Sequence, residues 1–167
     1  MRTIDVLISF PSLILALALI AVIGPSRWGI ALVLGIAYTP IFARVARSES
    51  VSLKEEQYIQ SLQVRGASDR RILAYHAFPN AIAPLMVTLT LQLAFGILIT
   101  ATLSFLGVGI QPPRASLGLM LNDGVPLLSE APWVSIASGV AIMLPIMAFN
   151  LIGDGLRDSL DPKQLNR

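Results

Sequence analysis

Four runs without a charged residue, Val6–Ile23, Trp28–Ala43, Ile82–Leu106 and Trp133–Ile152, are separated by segments that hold every Asp, Glu, Lys, Arg and His of the chain. A bilayer crossing takes about 20 predominantly apolar residues, and in hydrocarbon a backbone satisfies its own polar groups only as a helix or a closed barrel. Runs this long select the helix. The chain is therefore expected to be an all-α membrane protein of about four spans, forming a single transmembrane domain over residues 1–167. A charged fraction of 13% agrees, since soluble domains carry about 25%. The second run is the shortest and needs flanking residues, or a locally thinner bilayer, to complete a crossing. Each run has a proline in or beside it, Pro11, Pro40, Pro84 and Pro145, expected as kinks whose freed backbone groups are satisfied by neighbouring helices.

The distribution of positive charge predicts an orientation. Ten of the twelve Lys and Arg fall at the N-terminus (Arg2), in the central loop (Arg44, Arg47, Lys54, Arg65, Arg70, Arg71) and in the tail (Arg157, Lys163, Arg167); only Arg27 and Arg114 lie on the other face. Basic loops stay cytoplasmic, so both termini and the central loop are expected inside a cell (inner or plasma) membrane, with Trp28 and Trp133 at the outer interface. A signal peptide is the rival reading of the first run. It fits less well, because the run is long and its A-x-A match, Ala16-Leu17-Ala18, lies in mid-run.

Several chemistries find no residues to build them. Proton relays and ion-coupled carriers normally use charged groups in mid-membrane, and the four runs contain none. An intramembrane enzyme would lack an acid, base or metal ligand there as well. With no Cys and a single His76, disulfides and Cys/His metal clusters have no ligands; no cofactor is expected. Gly24-Pro25-Ser26-Arg27-Trp28-Gly29 has phosphate-loop glycine spacing, but Ile30-Ala31 follow where Lys and Ser/Thr are required. Asp154 and Asp158 stand four apart beside Arg157, the pattern of a solvated helical end. The mild net charge of +2 is accounted for by membrane topology and implies no nucleic-acid partner.

The third run carries Thr88, Thr90, Gln92, Thr100 and Thr102. These side chains are suited to line a hydrated path, or equally to hydrogen-bond to neighbouring helices and to their own carbonyls. In the central loop, Leu53–Val64 lacks helix breakers and predicts a short amphipathic helix, with Tyr58, Ile59 and Leu62 on one face. Gly66 interrupts it. Ser68 and Asp69 then offer a side-chain cap and a first-turn acid for a second helix over about Asp69–Phe78. The resulting helix–turn–helix displays Glu55, Glu56, Arg65, Arg70 and Arg71 around apolar faces. By spacing alone it suits a groove on a cytoplasmic partner and the headgroups of anionic lipid equally.

The loop resembles that of inner-membrane permeases of ABC importers, whose signature runs Glu-Ala-Ala, three residues, Gly, nine residues, Ile, any residue, Leu-Pro. Aligned on Gly66, this chain has Gln60-Ser61-Leu62, Gly66, His76, Phe78 and Pro79; Gly66 and Pro79 match in place, the triplet and the Leu do not. Three further stretches are similar to the dipeptide/oligopeptide/nickel branch. They are Arg65-Gly66-Ala67-Ser68-Asp69 with Phe78-Pro79-Asn80-Ala81, Leu103 to Pro113, and Phe149 to Asp158 with Leu160-Asp161-Pro162.

The resemblance implies a non-enzymatic permease subunit working by alternating access. Its partners would be a second permease, two ATPase subunits, an extracytoplasmic solute-binding protein and membrane lipid, with peptides or related small solutes as cargo. It places the ATPase-coupling contact on Tyr58–Gly66, within a loop set of Glu55, Tyr58, Gln60, Ser61, Leu62, Arg65, Gly66, Ala67, Asp69 and Pro79. Gln60 in place of the usual Glu removes a charge from that contact, and Gly66 is expected to make a turn that tolerates little side-chain bulk. Pathway-lining is expected of Thr88, Gln92, Thr100 and Thr102. Members of this branch usually carry six spans and a long outer segment after the first. By that comparison the chain begins at their third span and corresponds to the C-terminal part of the fold, N-terminally shortened. The competing expectation is a remnant that docks an ATPase or lipid and transports nothing.

Overall fold

The computed structural model describes residues 4, 6 and 8–160, so Arg2, Asp161, Pro162, Lys163 and Arg167 lie outside the described residues. Six helices organise it: α1 (Ser12–Ile23), α2 (Arg27–Lys54), α3 (Gln57–Val64), α4 (Asp69–Phe105), α5 (Leu117–Gly124) and α6 (Trp133–Leu160). No strand occurs among the described residues. Three helices, α2, α4 and α6, are long and apolar enough to cross a bilayer. The first apolar run is broken at Pro11, and its helix α1 has only 12 residues, short of the ~20 a crossing takes.

The second run differs from its expected length for a local reason. Ser26 caps α2 by accepting a hydrogen bond from the Gly29 amide at 2.9 Å. The helix then continues through Pro40 and past Ala43 to Lys54, for 28 residues in all. Arg44, Arg47 and Glu49 lie on this polar extension, which supplies the flanking residues the run needs.

The loop helices also shift. The break comes at Glu55-Glu56, which leaves α3 as Gln57–Val64; Leu53 and Lys54 belong to α2. The second loop helix does not stop at Phe78. It starts at Asp69, opens into a π-helical turn over Leu73–Ala77, and merges with the third run into one helix of 37 residues. Pro79 explains the π turn: it has no N–H for the Tyr75 carbonyl and its ring crowds that group, and the wider turn just before it, closed by the Phe78 amide on Leu73 O, absorbs the misfit. Ser68 is the N-cap residue as expected, but its side chain makes no capping bond.

The most extensive packing joins α4 to α6, with α5 wedged against both. At the α4–α6 crossing Gly153 meets Thr90; a Cβ at Gly153 would stand 2.6 Å from Thr90 Oγ1. A second cluster, Ala16, Ile20, Ile30, Val33, Ala37, Tyr38, Ile99 and Leu103, holds α1 and α2 to the far half of α4. Helix α5, in the segment between the third and fourth runs, has no counterpart among the sequence-based expectations. Ser116 caps its start through the Leu119 amide at 3.1 Å. Asn122 Nδ2 returns to the Phe105 carbonyl at 2.9 Å, meeting one of the acceptors left open at the end of α4.

Candidate functional site

Two regions gather the residues singled out by sequence. The first is the corner formed by the end of α2, α3 and the start of α4. Helix α3 turns Ile59 inward until it is 1% exposed. Together with Leu53, Gln63, Ile72, Leu73 and Ala77, Ile59 encloses a cavity of about 260 Å³. The buried face is thus Ile59 with the half-buried Leu62, one turn apart. Tyr58 sits at its edge, 44% exposed. Its ring lies edge-on to His76, centroids 6.0 Å apart, and its hydroxyl accepts from Asn80 Nδ2 at 3.3 Å. Asn80 Nδ2 also donates to the His76 carbonyl at 2.8 Å, so one amide joins α3 to the α4 backbone beside the π turn.

The remaining loop residues are placed as follows. Gln60 is exposed and its Nε2 reaches the Glu55 carbonyl at 3.4 Å; a Glu here could not donate. Ser61 Oγ bonds back to Gln57 O at 2.9 Å. Glu55, Arg65, Asp69 and Pro79 are exposed, Ala67 half-buried. Gly66 takes φ +81° and terminates α3 by two bonds, Gly66 N–H to Gln63 O at 2.9 Å and Ala67 N–H to Leu62 O at 3.0 Å. That is the paired termination in which a left-handed residue follows the cap. The expectation about bulk is corrected: no atom of the chain lies within 4 Å of where a Gly66 Cβ would stand, so the demand on this position is conformational. The outer surface of the corner is left uncovered by the chain, with Val64 89% and Tyr75 74% exposed.

The second region is a cavity of about 430 Å³ lined from α2, α4, α5 and α6 and bordered by Tyr38, Gln92, Gly96, Thr100 and Ser116. Of the residues expected to line a pathway, Gln92 and Thr100 border it. Thr88 and Thr102 do not, and their hydroxyls bond back to Pro84 O and Leu98 O, at 2.7 and 2.8 Å. Thr90 is buried and bonds to Val87 O at 2.8 Å. The back-bonding expected of the third run is thus seen at Thr88, Thr90 and Thr102, while Gln92 and Thr100 border the cavity. Sequence reasoning missed Tyr38, His76 and Asn80 as contacts. For Tyr38 the available signal was a lone phenol within an otherwise apolar stretch. Among the described residues no group of three or more His, Cys, Asp or Glu could hold a metal ion.

Residues 1–166 match the model of a family described as "Binding-protein-dependent transport system inner membrane component". A dipeptide transport system permease protein, DppC, of Alkalihalophilus pseudofirmus is 43% identical over 162 residues, which is 97% of this chain and 53% of that protein. A glutathione transport system permease protein, GsiD, of Escherichia coli is 42% identical over 163 residues, 98% of this chain and 54% of that protein. The chain spans about half the length of the curated relatives it matches.

Proposed function

From its membership of the binding-protein-dependent transport system inner membrane component family, we infer that the chain acts as a permease subunit of an ATP-driven ABC importer for peptides or peptide-like small solutes. The observation that carries this reading is the match over nearly the whole chain, together with relatives named for dipeptide and glutathione transport. ATP is hydrolysed on separate ATPase subunits. A second permease completes the pathway, and a solute-binding protein delivers cargo from outside.

In this reading the corner of α3 and the α4 base is the ATPase contact. Its support is physical: a short helix is held against a span by a buried Ile59 and by the Asn80–Tyr58 bond, while Tyr75, Val64 and the charged residues face outward. A push on α3 reaches α4 through those contacts. The positive charge of the loop and tail supports a cytoplasmic side for both. Solute passes beside α2 and α4, where Gln92 and Thr100 border the cavity.

The test is co-purification of the tagged chain with its ATPase and second permease, extracted in mild detergent, against a Gly66→Pro control. Recovery of ATPase that depends on Gly66 supports the assignment. A well-inserted chain that recovers ATPase equally with and without the substitution removes α3 from the contact.

A further inference from the structure

The hydroxyls and amides of the spans divide into two groups. Thr39, Thr88, Thr90, Thr102 and Ser138 each bond back to a carbonyl of their own helix at 2.7–2.8 Å, the usual way a membrane helix disposes of such groups. Ser135 and Asn150 of α6 do not, and both lie outside the 430 Å³ cavity; nor do Tyr38, Gln92 and Thr100. The Tyr38 hydroxyl is buried with no hydrogen-bond partner, on a side chain only 9% exposed, and Gln92 and Thr100 make no hydrogen bond among the described residues. All three border the 430 Å³ cavity.

Their arrangement is ordered. Gln92, Gly96 and Thr100 recur at every fourth residue and so form one stripe along α4. Gly96 leaves the middle of the stripe bare, and the Tyr38 ring lies over it; a Cβ at Gly96 would stand 3.7 Å from the ring and 3.8 Å from the hydroxyl. Tyr38 therefore faces the stripe between Gln92 and Thr100. Those two positions are separated by about 12 Å along the axis, at ~1.5 Å per residue, which is the length of about three residues of extended peptide at ~3.3–3.6 Å each.

The geometry points to a binding subsite for the uncharged backbone amides of a short peptide, with Tyr38, Gln92 and Thr100 as its hydrogen-bonding groups. This rests on the permease reading above and adds the chemistry of its cargo contact. Three unpaired groups that together donate and accept match the alternating C=O and N–H of a peptide backbone. No charged side chain borders the cavity, so a carboxylate or ammonium entering it would lose hydration without compensation. Contact is thus made to the neutral middle of the cargo, indifferent to its side chains. The Tyr38 side chain lines the cavity, and a displacement of its ring toward that space brings the hydroxyl to the ligand and relieves its unpaired state.

The chain has no cysteine, so a Thr100→Cys variant carries one thiol at the subsite and a Ser129→Cys variant one on an exposed turn outside it. The experiment follows N-ethylmaleimide modification of each, in the assembled transporter reconstituted in liposomes, while titrating N-acetyl-trialanine amide. The expected result is a slowing at Thr100→Cys that follows one plus probe over dissociation constant, about tenfold at ten times that constant, with Ser129→Cys unchanged. Adding Tyr38→Phe should raise the half-protecting concentration roughly fivefold, the loss of one ordinary hydrogen bond. Unprotected Thr100→Cys overturns the proposal, and so does protection that Tyr38→Phe leaves intact or that dodecanol reproduces. Peptide uptake by the same liposomes is read separately: protection without uptake upholds the subsite and counts against the transport reading.

Discussion

Asn80, about three turns into α4, donates through Nδ2 to the hydroxyl of Tyr58 on α3 at 3.3 Å, and through the same nitrogen to the His76 carbonyl at 2.8 Å. A single amide therefore ties a surface helix to the backbone of a span at the place where that span is π-helical. Because the amide serves both partners, Tyr58 and Asn80 should be energetically coupled. In a double-mutant cycle, Tyr58→Phe and Asn80→Ala are each expected to lower stability by about 1 kcal/mol. They should be non-additive by ~0.5 kcal/mol or more, with Asn80→Ala the larger because it also strips the His76 carbonyl. Thermal unfolding of the detergent-solubilised chain measures this, and strict additivity would remove the link.

Gly66 separates conformation from bulk. With φ +81° and open space around it, Gly66→Ala is expected to cost about 1–2 kcal/mol from the left-handed backbone alone, and Gly66→Asn less, since Asn tolerates that region. Gly66→Pro fixes φ near −65° and deletes the bond to Gln63, so it should end ATPase recovery while membrane insertion persists. Co-purification across the series should rank Gly, Asn, Ala, Pro. A Gly66→Ala variant that behaves as Pro does would mean an added methyl meets the partner directly.

Gly118 is a test of close packing. A Cβ there would fall on the Ala101 carbonyl, a backbone group that cannot rotate aside. Gly118→Ala should destabilise by about 1–3 kcal/mol and loosen α5 from α4, seen as a lowered midpoint of thermal unfolding and faster proteolysis within 106–132. An unchanged midpoint would show that α5 shifts freely.

Orientation is checked by chemistry on the cysteine-free chain. Glu55→Cys and Ser129→Cys should react with a membrane-impermeant maleimide from opposite sides: Glu55→Cys only in inside-out vesicles, Ser129→Cys only in right-side-out ones. The reverse pattern would invert the topology; labelling of both from one side would mean that the intervening helix α4 does not cross.

What the sequence could tell depended on the range of the interactions involved. The runs at α2, α4 and α6 were legible because the absence of charge over such lengths has few structural meanings. The turn at Gly66 was legible because only glycine commonly sits there, although the reason lay in φ and not in space. The continuity of α4 was hidden: Pro79 reads as a stop, and only the π turn at Leu73–Ala77, stabilised in context, lets the helix pass. Helix α5 was hidden as well, since its short apolar face is defined by α4 and α6, which lie far from it in sequence. Among the polar residues of the third run, local spacing could not separate Thr88 and Thr102, bonded to their own helix, from Gln92 and Thr100, which face Tyr38 on another. That distinction requires knowing which side of α4 meets α2.

The 37-residue helix α4 is about 55 Å long at ~1.5 Å per residue, nearly twice the ~30 Å hydrocarbon layer. A helix of that length could serve as a lever arm across the membrane. The Gly66 turn leads into one tip, with the Tyr58–Asn80 tie about three turns in from it; at the other, Asn122 clasps the Phe105 carbonyl. A tilt of about 10° around the midpoint swings each tip by roughly 5 Å in opposite directions, given that length. A movement at the loop, if α4 turned as one body, would be returned, reversed in sense, beneath α5.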